Sequence, residues 1–292
     1  MQSKKIRNQI ILNAVFIVLC ILVVFPLVLL LSVSLSNEQD IVMNGYKLFP
    51  KKIDLSAYEY VFKNGMVILQ AYKVTAIFSV LSMILSVLFM SMISYPLTLK
   101  DFKPRNTISF YLYFTMLFSG GLVPSYILIT QYLHLNDTIW VYILPSLISP
   151  WYVFMMRTFM QDIPNEIRES VKIDGGDEFT IFFKIIIPLS KPVLATVALF
   201  MFLAKWNDWY TAMLYINNSQ LDSLQYLLQR ILQNLQLLKT ASDMGLSMEV
   251  AEVPAETVRM AMAIMVMGPA LFVFPFFQKY FVRGITVGSV KG

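Results

Sequence analysis

Six stretches of this sequence stay apolar for as long as a bilayer is thick, and this constrains the fold more than any other feature. They are Ile10–Leu35, Tyr72–Leu99, Ile108–Thr130, Ile139–Met156, Leu189–Ile216 and Thr257–Tyr280. A helix needs about 20 residues to cross a hydrocarbon core of about 30 Å. Composition agrees. Of the 292 residues, 57% are hydrophobic and 14% charged, against about 45–50% and about 25% in soluble domains. In water such a chain would carry far too apolar a surface. The expected fold is all-α and polytopic, with six transmembrane helices in a single domain over 10–280. A short N-terminal segment, 1–9, and a tail, 281–292, flank it.

The first run follows Lys4, Lys5 and Arg7, as a secretion signal would. It exceeds the roughly 7–15 apolar residues of a signal, and no small-x-small cleavage site follows, so it is expected to stay as a helix. Lys and Arg in the connecting segments give orientation. With the N-terminus inside, one face collects fourteen basic residues and the other six, and the short link Gln131–Thr138 has none. Both termini are therefore expected in the cytoplasm, with the chain multi-pass in the cell membrane. Topology accounts for the net charge of +5, which removes nucleic acid as a partner. Cys20 is the only cysteine, so neither an intramolecular disulfide nor a cysteine metal cluster is possible.

Two outer segments exceed simple links. Ser36–Ala71 is expected to hold a short interfacial helix over Ile53–Phe62. Asn217–Glu256 carries an apolar stripe from Leu221 to Leu235 at 3- and 4-residue spacing, which suits an amphipathic helix on the membrane surface or a surface that meets a partner protein.

The residues richest in chemistry lie between the fourth and fifth spans. Ten charges crowd Asp162–Pro192, too many for hydrocarbon at about 2.5–3.5 kcal/mol each. Pro164 suits a helix start, and glycine at Gly175-Gly176 can take the positive φ that ends a helix. Asp177 can cap a second helix, Glu178–Ile187, stopped by Pro188. On that helix Phe179, Phe182, Phe183 and Ile186 share one expected apolar face. The coupling loop 162–188 thus reads as a stiff knob on the cytoplasmic side, suited to a groove on a partner.

Glu169-Ser-Val-Lys-Ile-Asp174-Gly175-Gly176, then Phe182-x-x-Ile185-x-x-Pro188-Leu189-x-x-Pro192, resembles the EAA loop of ATP-binding-cassette importer permeases. Members usually read Glu-Ala-Ala-x-x-Asp-Gly-Ala, so Ser170, Val171 and Gly176 depart from the pattern. Trp206-Asn207-Asp208-Trp209, the Phe49-Pro50-Lys51 segment and the ending Gln278–Gly284 are similar to carbohydrate permeases, notably the smaller, six-helix maltose permease subunit. Phe118–Pro124 and Gly288–Gly292 resemble the branch that imports oligosaccharides derived from polysaccharides. The resemblance implies a second homologous permease, a pair of ATPase subunits that bind ATP and Mg, and an extracytoplasmic solute-binding protein that delivers a sugar or oligosaccharide. It places ATPase coupling on Glu166, Glu169, Ser170, Lys172, Asp174, Gly175, Gly176, Phe182 and Pro188. For Glu169 the plainer alternative is a solvated pair with Lys172 one turn on.

Lys205 and Asp208 lie inside the otherwise apolar fifth span. At i and i+3 they can pair and be purely structural, or they can mark a water path with Trp206, Asn207 and Trp209, whose indole and amide groups suit sugar rings. His134, the only histidine, is expected to be a plain surface residue. Gly120, Gly121 and Pro124 are expected to bend the third span. No Gly-x-x-x-x-Gly-Lys-Ser/Thr phosphate loop and no His-Glu-x-x-His occur, so the chain has no means of hydrolysing ATP alone and no catalytic constellation. No cofactor or metal is expected in it. Three rivals remain: a permease of the same class for a non-sugar solute; an ion-coupled secondary transporter, which would need buried acids beyond Asp208; and a membrane scaffold with no transport.

Overall fold

The computed structural model describes residues 2–63, 65–243 and 255–288, with side chains for 8–63, 65–234, 236, 237, 240 and 255–278. Part of the outer segment 217–256 and the end of the tail 281–292 lie outside those residues. Among the described residues the regular structure is helical, and the sole β pairing is a bridge of Ser36 to Ile53. The chain divides into two compact units, Met1–Ile68 with Leu228–Gly268 and Leu69–Leu227 with Pro269–Gly292.

The helices in order are α1 Gln2–Ser34, α2 Glu38–Asn44, α3 Ser56–Lys63, α4 Gly65–Ser94, α5 Arg105–Leu117, α6 Leu122–Ile127, α7 Trp140–Ile143, α8 Pro150–Gln161, α9 Asn165–Ile173, α10 Glu178–Ile181, α11 Ile187–Leu189, α12 Lys191–Trp206, α13 Tyr210–Tyr215, α14 Leu224–Asp243 and α15 Ala255–Gly288. Among the described residues, three unbroken helices are long and apolar enough to span: Asn8–Ser34, Gly65–Thr98 and Ala255–Gln278. Within Asn8–Ser34 the most apolar stretch has a mean hydropathy of 3.4 and is not buried within the chain, while the end, Ser32–Ser34, is. Water would not tolerate it, and lipid does.

The other expected spans are broken, so the count of six is not met by six continuous helices. In the third, α5 turns by 115° into α6 and the π-helical turn Leu128–Tyr132. Gly121, at φ +86°, supplies the backbone for that turn, as the Gly120-Gly121-Pro124 reading expected. The fourth, Ile139–Met156, splits into α7, a 3-10 turn Leu144–Ser146 and α8, because Pro145 and Pro150 each withhold a backbone donor. In the fifth, α12 stops at Trp206 and α13 restarts at Tyr210. The second span begins at Gly65 rather than Tyr72, and the interfacial helix is Ser56–Lys63.

In the first unit the loop after α1 is tied back upon itself. Asp54 N–H donates to Leu35 O at 2.9 Å, and Asn37 Nδ2 donates to Asp54 at 2.7 Å. Glu38 accepts from the backbone of Glu256 and Thr257, both at 2.9 Å. It caps the N-terminus of α15, where a carboxylate meets the positive end of the dipole.

In the second unit one face of α4 carries Thr75, Ser79, Ser82 and Ser86, all fully buried. Their spacing of 4, 3 and 4 makes one stripe, and small side chains let membrane helices approach closely. Phe78, on the same helix, stacks on Tyr142 at 4.1 Å. A second cluster joins Met90, Met156, Met160 and Met201 to Ile181, Phe182 and Ile186. Adaptable thioethers fill this irregular space where the helices end.

Candidate functional site

The segment after α8 forms the glycine-hinged knob. Pro164 precedes α9 with ψ 136°, and Gly175 follows it at φ +80°. Gly175 N–H donates to Lys172 O at 3.0 Å and Gly176 N–H to Val171 O at 2.8 Å. That pair of hydrogen bonds is a Schellman ending, which needs the left-handed residue glycine provides. Gly176 is required for a different reason: a Cβ there would come within 2.6 Å of Val171 Cγ1 and 3.0 Å of its carbonyl. Asp177 then accepts from Thr180 N–H at 2.8 Å and caps α10. Those bonds to Thr180 hold its carboxyl below the usual range. The two glycines and the cap make the turn rigid.

Beyond α10 the backbone widens into a π-helical turn, Phe182–Ile186, and continues through Pro188 to Leu189. The helix read as Glu178–Ile187 is therefore not regular. Phe182 and Ile186 remain buried, while Phe179 and Phe183 turn outward at 69% and 50% exposure. The expected four-residue apolar face is thus two faces. Pro188 and Pro192 remove two backbone donors, and a 77° bend separates Glu178–Leu189 from α12.

Of the residues read as coupling positions, Glu166, Glu169, Ser170, Lys172, Asp174 and Gly175 are exposed on α9 and its turn. Gly176 borders that turn, Pro188 lies beyond the π turn, and Phe182 packs inside. Glu169 does not pair with Lys172. Lys172 bonds Glu178 across the glycine turn at 2.7 Å, and Glu178 also accepts from Tyr95 Oη at 2.6 Å. Burial alone would raise the Glu178 carboxyl, yet Lys172 and Tyr95 hold it below its ordinary value. A polar hollow of about 750 Å³ lies between α9 and the loop after α4, with Lys100, Arg105, Glu169 and Lys172 on its walls. Arg168 is the only buried residue of α9. On sequence grounds Arg168 is one of the fourteen basic residues of one face.

The second candidate cluster is at the break between α12 and α13. Lys205 Nζ lies 3.1 Å from Asp208 Oδ2, both side chains nearly buried. Asp208 also accepts from Thr211 N–H at 3.0 Å and Thr211 Oγ1 at 2.8 Å, so it caps α13. The charges therefore sit at a helix break and are satisfied there. Trp206 is buried and stacks on Phe202 at 5.7 Å. Asn207 and Trp209 face outward instead; Asn207 accepts from Gln225 Nε2 at 2.9 Å, and Trp209 meets Tyr210 edge-on at 5.8 Å. The structure thus pairs Lys205 with Asp208, buries Trp206 beside Phe202, and leaves Asn207 and Trp209 accessible.

A helical membrane body with spans broken at glycine and proline, carrying a rigid charged knob and no nucleotide loop, defines the membrane-spanning permease of an ATP-binding-cassette importer. The chain belongs to the family of binding-protein-dependent transport system inner membrane components, whose model matches residues 4–287. Among curated proteins it is 37% identical over 271 residues to Protein LplC of Bacillus subtilis (strain 168), covering 92% of this chain and 90% of that one. It is 36% identical over 281 residues to the polygalacturonan/rhamnogalacturonan transport system permease protein YtcP of the same organism, covering 95% and 94%. A chain in the crystal structure of a bacterial ABC transporter involved in the import of the acidic polysaccharide alginate superposes with a TM-score of 0.80. It shares 26% identity over 96% of this chain and 98% of that one.

Proposed function

We propose that this chain forms half of the transmembrane path of an importer for oligosaccharides derived from polysaccharides, with both termini in the cytoplasm. A second homologous permease completes the path, a separate pair of ATPase subunits powers it, and an extracytoplasmic binding protein supplies the sugar. ATP and Mg belong to the ATPase. The solute class is supported by relatives named for polygalacturonan/rhamnogalacturonan and arabinooligosaccharide transport and by the alginate importer. Side-chain charge supports the orientation: fourteen basic residues against six.

The observation that carries the coupling role is the rigid turn that presents Glu166, Glu169, Ser170 and Asp174 to solvent on one short helix. Such a knob suits a cleft on the ATPase, and its displacement would rock the helices between inward- and outward-facing states. Glu169→Lys should leave the chain in the membrane, weaken ATPase association and uncouple uptake. Co-purification and uptake of a labelled oligosaccharide read both effects. Normal uptake with the ATPase bound would remove the docking assignment. For the path we retain Lys205, Trp206, Asn207, Asp208 and Trp209, with the accessible Trp209 as the ring-stacking member.

A further inference from the structure

The contacts of Arg168 close a ring. Its Nη1 donates to Thr98 Oγ1 at 3.2 Å and its Nη2 to Met160 O at 3.0 Å. The guanidinium lies 5.5 Å from the centre of the Tyr95 ring, within reach of a cation–π interaction. Tyr95 Oη donates to Glu178 at 2.6 Å, and Glu178 holds Lys172 at 2.7 Å. Lys172 is one turn beyond Arg168 on α9, so the chain of contacts returns to the helix where it began. Thr98 closes the 3-10 turn Pro96–Thr98 that continues α4, and Met160 is in the last turn of α8. The ring therefore fastens both halves of the knob to the end of α4, and α9 to the end of α8.

This fastening is costly. Arg168 is 6% exposed, and its Nε has no hydrogen-bond partner among the described residues. An apolar side chain of similar length would fill the space beside Met160 and Tyr95 without desolvating a charge, and such replacements are often neutral or stabilising. Packing alone therefore does not account for arginine here. Its fork supplies something an apolar side chain lacks: directional bonds to two different helices at once.

We propose that Arg168 is a positioning residue for transport. It makes the knob and the adjoining ends of α4 and α8 move as one body, so that a push on the knob reaches the membrane helices. The inference rests on the coupling role proposed above. It assigns Arg168 no contact with the ATPase or the sugar.

The test is uptake per ATP hydrolysed by the assembled transporter, purified through a tag on this chain and reconstituted in liposomes. Arg168→Met should keep the fold and the bound ATPase, and hydrolysis should continue, while uptake per ATP falls at least about tenfold. Arg168→Lys keeps the charge but loses the fork and should not restore coupling. Tyr95→Phe removes only the link to Glu178 and should lower uptake per ATP about threefold with assembly unchanged. Should Arg168→Met fail to fold, Tyr95→Phe decides alone. Unchanged uptake per ATP in either folded variant with the ATPase bound overturns the proposal. So does loss of the ATPase from Arg168→Met while Tyr95→Phe stays fully coupled, since Arg168 would then only shape the docking surface. Failure of the docking role itself shows separately, in a Glu169→Lys variant that transports normally.

Discussion

Lys205 and Asp208 neutralise one another where α12 ends, and Asp208 also caps α13. Removing one partner leaves the other charge buried and unpaired, which typically costs about 3–5 kcal/mol. Asp208→Ala should therefore lower membrane yield and thermal stability in detergent far more than Trp209→Ala does. Trp209→Ala should instead reduce uptake at near-normal assembly and basal ATP hydrolysis; equal uptake by that variant would take Trp209 out of the sugar path. Asp137, in the link before α7, accepts from the backbone N–H groups of Asn218 and Asn217 at 2.8 and 2.6 Å. Those bonds hold its carboxyl below the usual range. Its contribution to stability is thus complete above about pH 3.9, the ordinary Asp value, and is lost as pH falls through the lower folded value. Proteolytic cutting at 217–218 in the detergent-solubilised protein should rise only below that point. In Asp137→Asn it should be raised already at neutral pH.

Elements in this chain are set by where glycine and proline interrupt them. Gly175 and Gly176 terminate α9 through one Schellman turn but fail differently when changed. Gly175→Val forces a β-branched residue to φ +80°, a strained conformation for it. Gly176→Ala drives a methyl into Val171. Both should leave the spans inserted while disordering the knob, seen as new protease cleavage near residue 175 and reduced ATPase co-purification. A knob that resists protease in both variants would show the turn to be dispensable. The link before α14 offers a topological test. Ser219 is exposed, so Ser219→Cys in a Cys20→Ala background should react with an impermeant thiol reagent in intact cells. Protection until the cells are opened would reverse the proposed orientation.

For the molecule as a whole, membrane residence was legible because it depends on sums taken over long apolar runs. The turn at Gly175-Gly176 and the cap at Asp177 were legible because each answers to the chemistry of a few adjacent residues. The pairing of Lys205 with Asp208 was foreseen as one of two readings, since i and i+3 already meet on a helix. Sequence by itself determined these features, for local backbone preference and transfer from water need no distant partner. Only the tertiary structure decided the rest. Glu38 caps a helix that starts over two hundred residues later, Phe179 and Phe183 face outward while Phe182 packs inside, and Arg168 turns inward to helices α4 and α8. Each of these outcomes is fixed by which surfaces meet, and a hydrogen bond or a buried face has no sequence signal until its partner is in place.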